Sequence, residues 1–133
     1  NMDRLARKFE TARSLVPQPV INKMDGAKVG IIAFGSTDLA MQEARDVLVK
    51  EGIKTNYLLL KALPLSEEVK KFIEENDVVY VVEQNRDAQL MNIIVMEYRD
   101  HKRNLKSSLH YHGMPFDAMS LVESILSQER VAV

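Results

Sequence analysis

Cysteine is absent from this 133-residue chain. That excludes disulfides, thiol nucleophiles, cysteine-ligated zinc and any iron–sulfur cluster held by the chain itself. An intracellular setting is consistent with the absence. No stretch approaches the roughly 18 apolar residues of a transmembrane helix. The opening Asn1-Met2-Asp3-Arg4 lacks the apolar core of a secretory signal. Asn1-Met2 is also an odd order for a natural start, so a fragment opening at Met2 behind a one-residue remnant is expected. Neither charge sign dominates. The chain carries 18 Lys and Arg against 19 Asp and Glu, a net charge of −1, so no global field draws it to nucleic acid or to an anionic membrane. G-x-G-x-x-G, G-x-x-x-x-G-K-[ST] and G-x-S-x-G are all missing, which leaves dinucleotide binding, triphosphate binding and a nucleophile elbow without support. No Ser/His/Asp order or paired-carboxylate pocket replaces them. No catalytic residue and no metal site is assigned.

What is present is ordinary for one globular domain: 46% apolar and 28% charged residues. Leu5, Phe9, Ala12 and Val16 recur at steps of three and four, which predicts a helix over 3–15. Pro17 and Pro19 end it. Its other face carries Arg4, Arg7, Lys8, Glu10 and Arg13. Acidic neighbours make this a solvated or inter-domain face in preference to a nucleic-acid surface. Val20-Ile21 reads as a short edge strand. The apolar run Val29 to Phe34 suits a strand buried on both faces. A helix follows with Ala40, Ala44, Val47 and Leu48 on one side, Ser36 or Thr37 as its N-cap, and Gly52 as its stop. Thr55 to Leu60 is the next strand. Ser66 is placed to cap a helix with Val69, Phe72 and Ile73 inward. Asp77 to Val82 is the third strong strand. A helix over 87–100 is apolar nearly all round, which predicts burial on more than one side. Leu105 to Tyr111 is a weaker strand, and Asp117 caps a last helix carrying Leu121, Val122 and Ile125. The tail 129–133 is expected to fray. The alternation of strand and helix predicts an α/β fold with helices on both faces of a mostly parallel sheet.

Open α/β sheets bind ligands beyond the C-terminal ends of their strands. Three segments fall there: Gly35-Ser36-Thr37, Lys61 to Leu65, and Glu83-Gln84-Asn85-Arg86. The first opens a helix, where free amides hold anions, although a turn and a helix cap alone account for these residues and are the favoured reading. The last sets four polar residues behind an apolar strand. It is either a ligand- or partner-positioning block or a solvated strand end, with Asn85 or Asp87 capping the next helix. A phosphoacceptor receiver needs acidic residues after its first strand, and Phe34-Gly35 stands there instead. His110 and His112 alternate on the expected last strand and so share a face, but no third ligand is evident.

VGIIAFGST, KALPL, DVVYVVEQNRDAQL and LHYHGMPF together resemble the C-terminal domain of the α subunit of 2-oxoacid:ferredoxin oxidoreductases, a transketolase C-terminal-like domain. The resemblance covers about Arg7 to Leu126. The lead-in RKFETARSLVPQPV resembles the linker from the preceding domain of that family. The most specific block is Glu83-Gln84-Asn85 with Gln89, where the family writes E-Q-N-x-x-G-Q-L. Ala88 stands in place of the glycine, and a helical reading makes alanine the better residue by about 1 kcal/mol. The late block is His112-Gly113-Met114-Pro115, where the family writes D-G-x-P. The resemblance implies a three-layer α/β/α domain over 19–128 with a mixed, mostly parallel five-stranded sheet, Val20-Ile21 being the antiparallel edge. Residues 1–18 would be a helical linker. It implies a complex that oxidatively decarboxylates a 2-oxoacid to acyl-CoA and reduces ferredoxin. Thiamine diphosphate, magnesium and iron–sulfur clusters would lie elsewhere in that complex. The partners would be the preceding α-subunit domain, the β subunit and further subunits, in the cytoplasm, with coenzyme A and ferredoxin met through the complex. The substrate-binding Y-P-I-T-P segment of the family does not occur here.

Glu83, Gln84, Asn85, Gln89, Gly113 and Pro115 are therefore expected to order an interface, and Gly35, Ser36 and Thr37 remain a candidate anion site. Two alternatives stay open: an independent module for an anionic ligand such as a nucleotide or coenzyme A, and the C-terminal domain of a transketolase-like or branched-chain 2-oxoacid dehydrogenase.

Overall fold

Val29–Phe34 forms β2, the central strand of a five-stranded sheet, in a computed structural model that describes residues 1–131. The strands lie in the order β1-β3-β2-β4-β5, with β1 at Val20–Asn22, β3 at Thr55–Leu60, β4 at Val78–Glu83 and β5 at Leu105–Leu109. β2, β3, β4 and β5 are parallel, and β1 runs antiparallel against β3 with Ile21 opposite Leu58. The expected mixed sheet with its antiparallel edge is what forms. β2 pairs β3 on one side and β4 on the other, so the strand order reverses at β2.

Period-two alternation sends side chains to two cores. Ile32, Leu58, Val79 and Val81 pack beneath α3 (Glu67–Glu75) and α4 (Gln89–Glu97). Ile31, Ala33, Tyr80 and Val82 pack beneath α2 (Met41–Lys50) and α5 (Ala118–Val131). The helices supply Phe72 and Ile94 to the first core and Leu48 and Ile125 to the second, all essentially inaccessible. Gly30 is required by the first core. A Cβ there would sit 2.9 Å from the Phe72 ring and 3.1 Å from the Asn76 side chain. Arg45 is buried between α2 and the sheet, and donates to Thr55 Oγ1, the Thr55 carbonyl and Asn22 Oδ1. It ties the short edge strand to the body. No described helix is long and apolar enough to cross a membrane.

Several expectations need correction. Residues Gly35–Ala40 form a 3-10 segment that runs into α2, so Ala40, not Ser36 or Thr37, occupies the N-cap of α2, and no side chain caps it. Ser66 holds the N-cap of α3 but its hydroxyl does not bond there. It is buried without a partner. The 87–100 helix is shorter, Gln89–Glu97, and a second 3-10 segment, Arg99–Asn104, follows. It buries one side only. Leu90, Met91 and Ile94 face the core, while Ile93 and Met96 are 39% and 72% exposed. β5 stops at Leu109, so His110 and His112 lie in the following loop and share no strand face. α5 continues through residues 129–131 where a frayed tail was expected, and the remainder of that tail, 132–133, lies outside the described residues.

α1 (Met2–Leu15) starts from Asn1, whose side chain accepts the Arg4 amide, and it contains no buried residue. Arg13 joins it to the body through the Leu65 carbonyl at 2.7 Å and the Glu97 carboxylate at 2.5 Å.

Candidate functional site on the C-terminal edge of the sheet

β4 ends in a carboxylate with no exposure to solvent. Glu83 Oε1 accepts the Leu90 amide at 2.6 Å and Oε2 accepts the Met91 amide at 3.1 Å. These are first-turn amides of α4, which otherwise have no intrahelical partner. The acid thus caps the helix that follows it by reaching forward seven residues, and its charge meets the positive end of the helix dipole. Asn85 completes the junction. Its Nδ2 donates to Glu83 Oε1 at 2.9 Å, and its Oδ1 accepts the Gln89 amide at 3.3 Å. The Glu83 carbonyl accepts the His110 amide, which holds the loop after β5 against the end of β4.

Ala88 occupies the N-cap position of α4 in a left-handed conformation, φ 51° and ψ 48°. The helical argument for alanine at this position is therefore overturned. The residue precedes the helix and adopts a geometry that disfavours a Cβ. Glycine at the corresponding place in E-Q-N-x-x-G-Q-L is explained by the same backbone.

Gln84 reaches across the sheet edge. Its Nε2 donates to Thr37 Oγ1 at 3.0 Å and to Ser36 Oγ at 3.3 Å. It latches the 3-10 segment to the end of β4. Within the candidate anion segment Gly35-Ser36-Thr37, the two hydroxyl oxygens accept from Gln84. Glu83 fills the first amides of α4, and the Ser36 and Thr37 hydroxyls engage Gln84.

Two crevices flank this latch. One, about 460 Å3, is lined by Phe34, Leu60, Lys61, Leu63, Gln89 and Ile93. The other, about 490 Å3, is lined by Ser36, Leu39, Glu43, Gln84, Pro115 and Phe116. Gly35 borders the first. Gly113 turns the loop leading to Pro115 with φ 75°. The motif residues, scattered from 35 to 115, thus gather on one edge. Around them stand exposed apolar side chains: Leu39 at 88%, which the sequence did not single out, Met114 at 79%, and Phe34, Leu63, Ile93 and Met119 to lesser degrees. Leu39 lies off the apolar stripe of Ala40, Ala44, Val47 and Leu48, a signal that could have found it.

His110 Nε2 lies 2.8 Å from Ser108 Oγ, and its ring meets Phe116 edge-on. Burial pushes its pKa down, nearby Asp117 opposes this, and His112 adds to the fall. Ser108 is 1% exposed and also touches Ser124 Oγ, so the pair is a packing contact and not an accessible nucleophile. Asp117 does cap the last helix, accepting the Ser120 amide at 2.7 Å. No group of three or more metal-ligating side chains converges among the described residues.

No protein-family model and no curated protein sequence matches the chain. Solved structures do. A 2-oxoglutarate:ferredoxin oxidoreductase from Magnetococcus marinus, solved with 2-oxoglutarate, coenzyme A and succinyl-CoA bound, is similar over 90% of this chain and 21% of its own, with 24% identity and a TM-score of 0.72. A split-gene transketolase, an inactive β4 tetramer, is similar over 83% of this chain and 40% of its own, with 17% identity and a TM-score of 0.68. The alpha chain of a probable 2-oxoacid ferredoxin oxidoreductase from Thermoplasma acidophilum is similar over 87% of this chain and 98% of its own, with 24% identity and a TM-score of 0.54. The chain spans about a fifth of the first of these and two fifths of the second. With its five-stranded mixed sheet between two helical layers, the chain has the transketolase C-terminal-like α/β fold, shared by 2-oxoacid:ferredoxin oxidoreductase and transketolase chains.

Proposed function

We propose that this chain is a non-catalytic docking domain of the α subunit of a 2-oxoacid:ferredoxin oxidoreductase. The observation that carries the reading is the C-terminal edge. It presents Phe34, Leu39, Leu63, Ile93 and Met114 to solvent around an internally satisfied polar junction. Exposed apolar side chains clustered in this way mark an interaction surface. Glu83, Gln84 and Asn85 hold that surface in shape, and Gly113 and Pro115 set the loop beside it. Residues 19–128 form the domain, and 1–18 lead in from a preceding one. The complex would oxidatively decarboxylate a 2-oxoacid to acyl-CoA and pass electrons to ferredoxin in the cytoplasm. Thiamine diphosphate, magnesium and the clusters would be held by other domains and subunits, and the fragment alone would be inactive.

The stand-alone anion-binding alternative has less support, because Glu83 already holds the Leu90 and Met91 amides at the start of α4. Membership of a transketolase-like or branched-chain dehydrogenase rests on the same fold. Turnover of the whole complex with ferredoxin or with lipoamide as acceptor separates these classes.

Co-purification with the remaining subunits tests the docking role. Ile93→Asp and Met114→Asp, both exposed, should abolish assembly and leave the melting temperature of the chain unchanged. Glu83→Ala should weaken assembly through loss of the junction. Full assembly of all three variants, with turnover lost, would contradict the reading.

A further inference from the structure

α1 is 14 residues long and contains no buried residue. Helices of this length are marginal in water, and in proteins most of their stability comes from packing an amphipathic face. No strand or helix of the chain packs along α1. Its last turn is fixed by Arg13, which commits its whole guanidinium: Nε to Glu10 at 3.1 Å, Nη1 to the Leu65 carbonyl at 2.7 Å and Nη2 to Glu97 at 2.5 Å. Ahead of that joint, Met2, Leu5, Phe9 and Ala12 step by three, four and three, the a and d spacing of a heptad. The first three are 79%, 49% and 60% exposed. Lys8 borders this stripe, and Arg4 stands one turn before it on the same face. Arg4, Arg7 and Lys8 take part in none of the ion pairs among the described residues.

We infer that this stripe is the seam for a helix of a separate subunit, one that carries apolar residues at its own a and d positions and carboxylates beside them. The other α-helices of the chain already bury a face against the sheet, so none is free to cover α1. A second copy does not fit. Set parallel, Lys8 at g meets Arg13 at e, and set antiparallel, Lys8 meets Lys8, so like charges face each other either way. An acidic border on the partner turns the same positions into opposite-charge pairs. A strict a and d stripe is also narrower than the apolar face of a helix that lies in a lipid surface. This surface is separate from the C-terminal edge and adds a second contact to it.

Fluorescence anisotropy of a labelled synthetic peptide tests the seam on the full chain. The peptide is helical, with leucine at a and d and glutamate at e and g, and a control peptide carries lysine at e and g. The wild type should bind the acidic peptide at least about tenfold more tightly than the basic one, and helical circular dichroism should rise on binding. Phe9→Asp should lose binding, and Lys8→Glu should weaken it by about tenfold. α1 buries nothing, so the melting temperature of the domain should not move. Equal affinity for the two peptides, or undiminished binding by Phe9→Asp, would overturn the inference. Binding to phosphatidylserine–phosphatidylcholine vesicles without binding to the acidic peptide would assign the stripe to a membrane instead. Self-association that Phe9→Asp abolishes and the acidic peptide cannot displace would assign it to a second copy. Because the chain has no cysteine, Ala6→Cys provides one thiol beside the seam. A thiol-to-amine cross-linker should join it to another subunit of the proposed complex, and a link to an upstream part of the same polypeptide would contradict a separate subunit. If the chain binds the acidic peptide and never assembles with other subunits, the docking reading fails and the seam stands. If it assembles without binding the peptide, the seam fails and the docking reading stands.

Discussion

Glu83 and Leu90 are joined by a 2.6 Å hydrogen bond from a helix amide to a fully buried carboxylate oxygen. Through it the end of β4 fixes the position of α4, and with α4 one wall of the apolar hollow. Removal of the carboxylate leaves the Leu90 and Met91 amides and the Asn85 side chain without their acceptor in a dry site. Glu83→Ala should therefore cost about 3 kcal/mol, since hydrogen bonds to charged groups are strong and buried orphan donors are penalised. Urea denaturation measures the loss, and a change below about 0.5 kcal/mol, the range of ordinary surface substitutions, would contradict the capping role.

Ala88 offers a prediction of opposite sign. Its left-handed backbone, φ 51°, places a Cβ where glycine would carry no strain. Ala88→Gly should stabilise the chain by about 1 kcal/mol, the lower end of the left-handed penalty for an L-residue. The same change inside a helix would destabilise by a similar amount. The sign of the shift in the denaturation midpoint thus distinguishes the two backbones.

The contrast at Ala88 shows what was legible beforehand. Apolar runs and helical stripes identified all five strands and all five helices, because Ile31, Ile32, Val79 to Val82 and Phe72 report burial directly through composition. Helix starts were less legible. Ser36 and Thr37 are ordinary capping residues, yet a long-range bond from Gln84 claims both hydroxyls, and the segment winds as a 3-10 turn. Glu83 caps from seven residues away and across a loop, beyond any local capping pattern. The motif residues were found by resemblance. Their meeting with Leu39 and Pro115 on one edge follows only from the strand order.

Gly30 tests the first core. A methyl group at this position would stand 2.9 Å from the Phe72 ring and 3.1 Å from Asn76, which itself bonds the Phe72 carbonyl at 2.7 Å and Asn56 at 2.9 Å. The neighbours are locked by those bonds. Gly30→Ala should destabilise by about 1–3 kcal/mol, as overpacked cores do. Thermal unfolding followed by circular dichroism gives the value, and an unchanged midpoint would show that the Asn76 network yields freely.

His110 should give the stability a pH dependence near neutrality. Burial holds its folded pKa below the ordinary 6.5. Between the folded value and 6.5 the unfolded chain binds more protons, so stability rises with pH across that window and falls on acidification through it. Asp117 is held down by hydrogen bonds from Ser120, and its contribution is lost only as the pH falls below its ordinary 3.8. His110→Gln should flatten the slope of unfolding free energy against pH between neutrality and mild acid. An unaltered slope would place the titrating group elsewhere.

Amide hydrogen exchange on the chain alone and inside the complex proposed for it tests the docking edge most directly. Assembly should protect residues 34–40, 61–63, 89–93 and 111–116, the segments that line the two crevices and the loop beside them, while the opposite edge around Asp25 and Gly52 exchanges as before. Protection confined to that opposite edge, or no change at the C-terminal edge, would contradict the account.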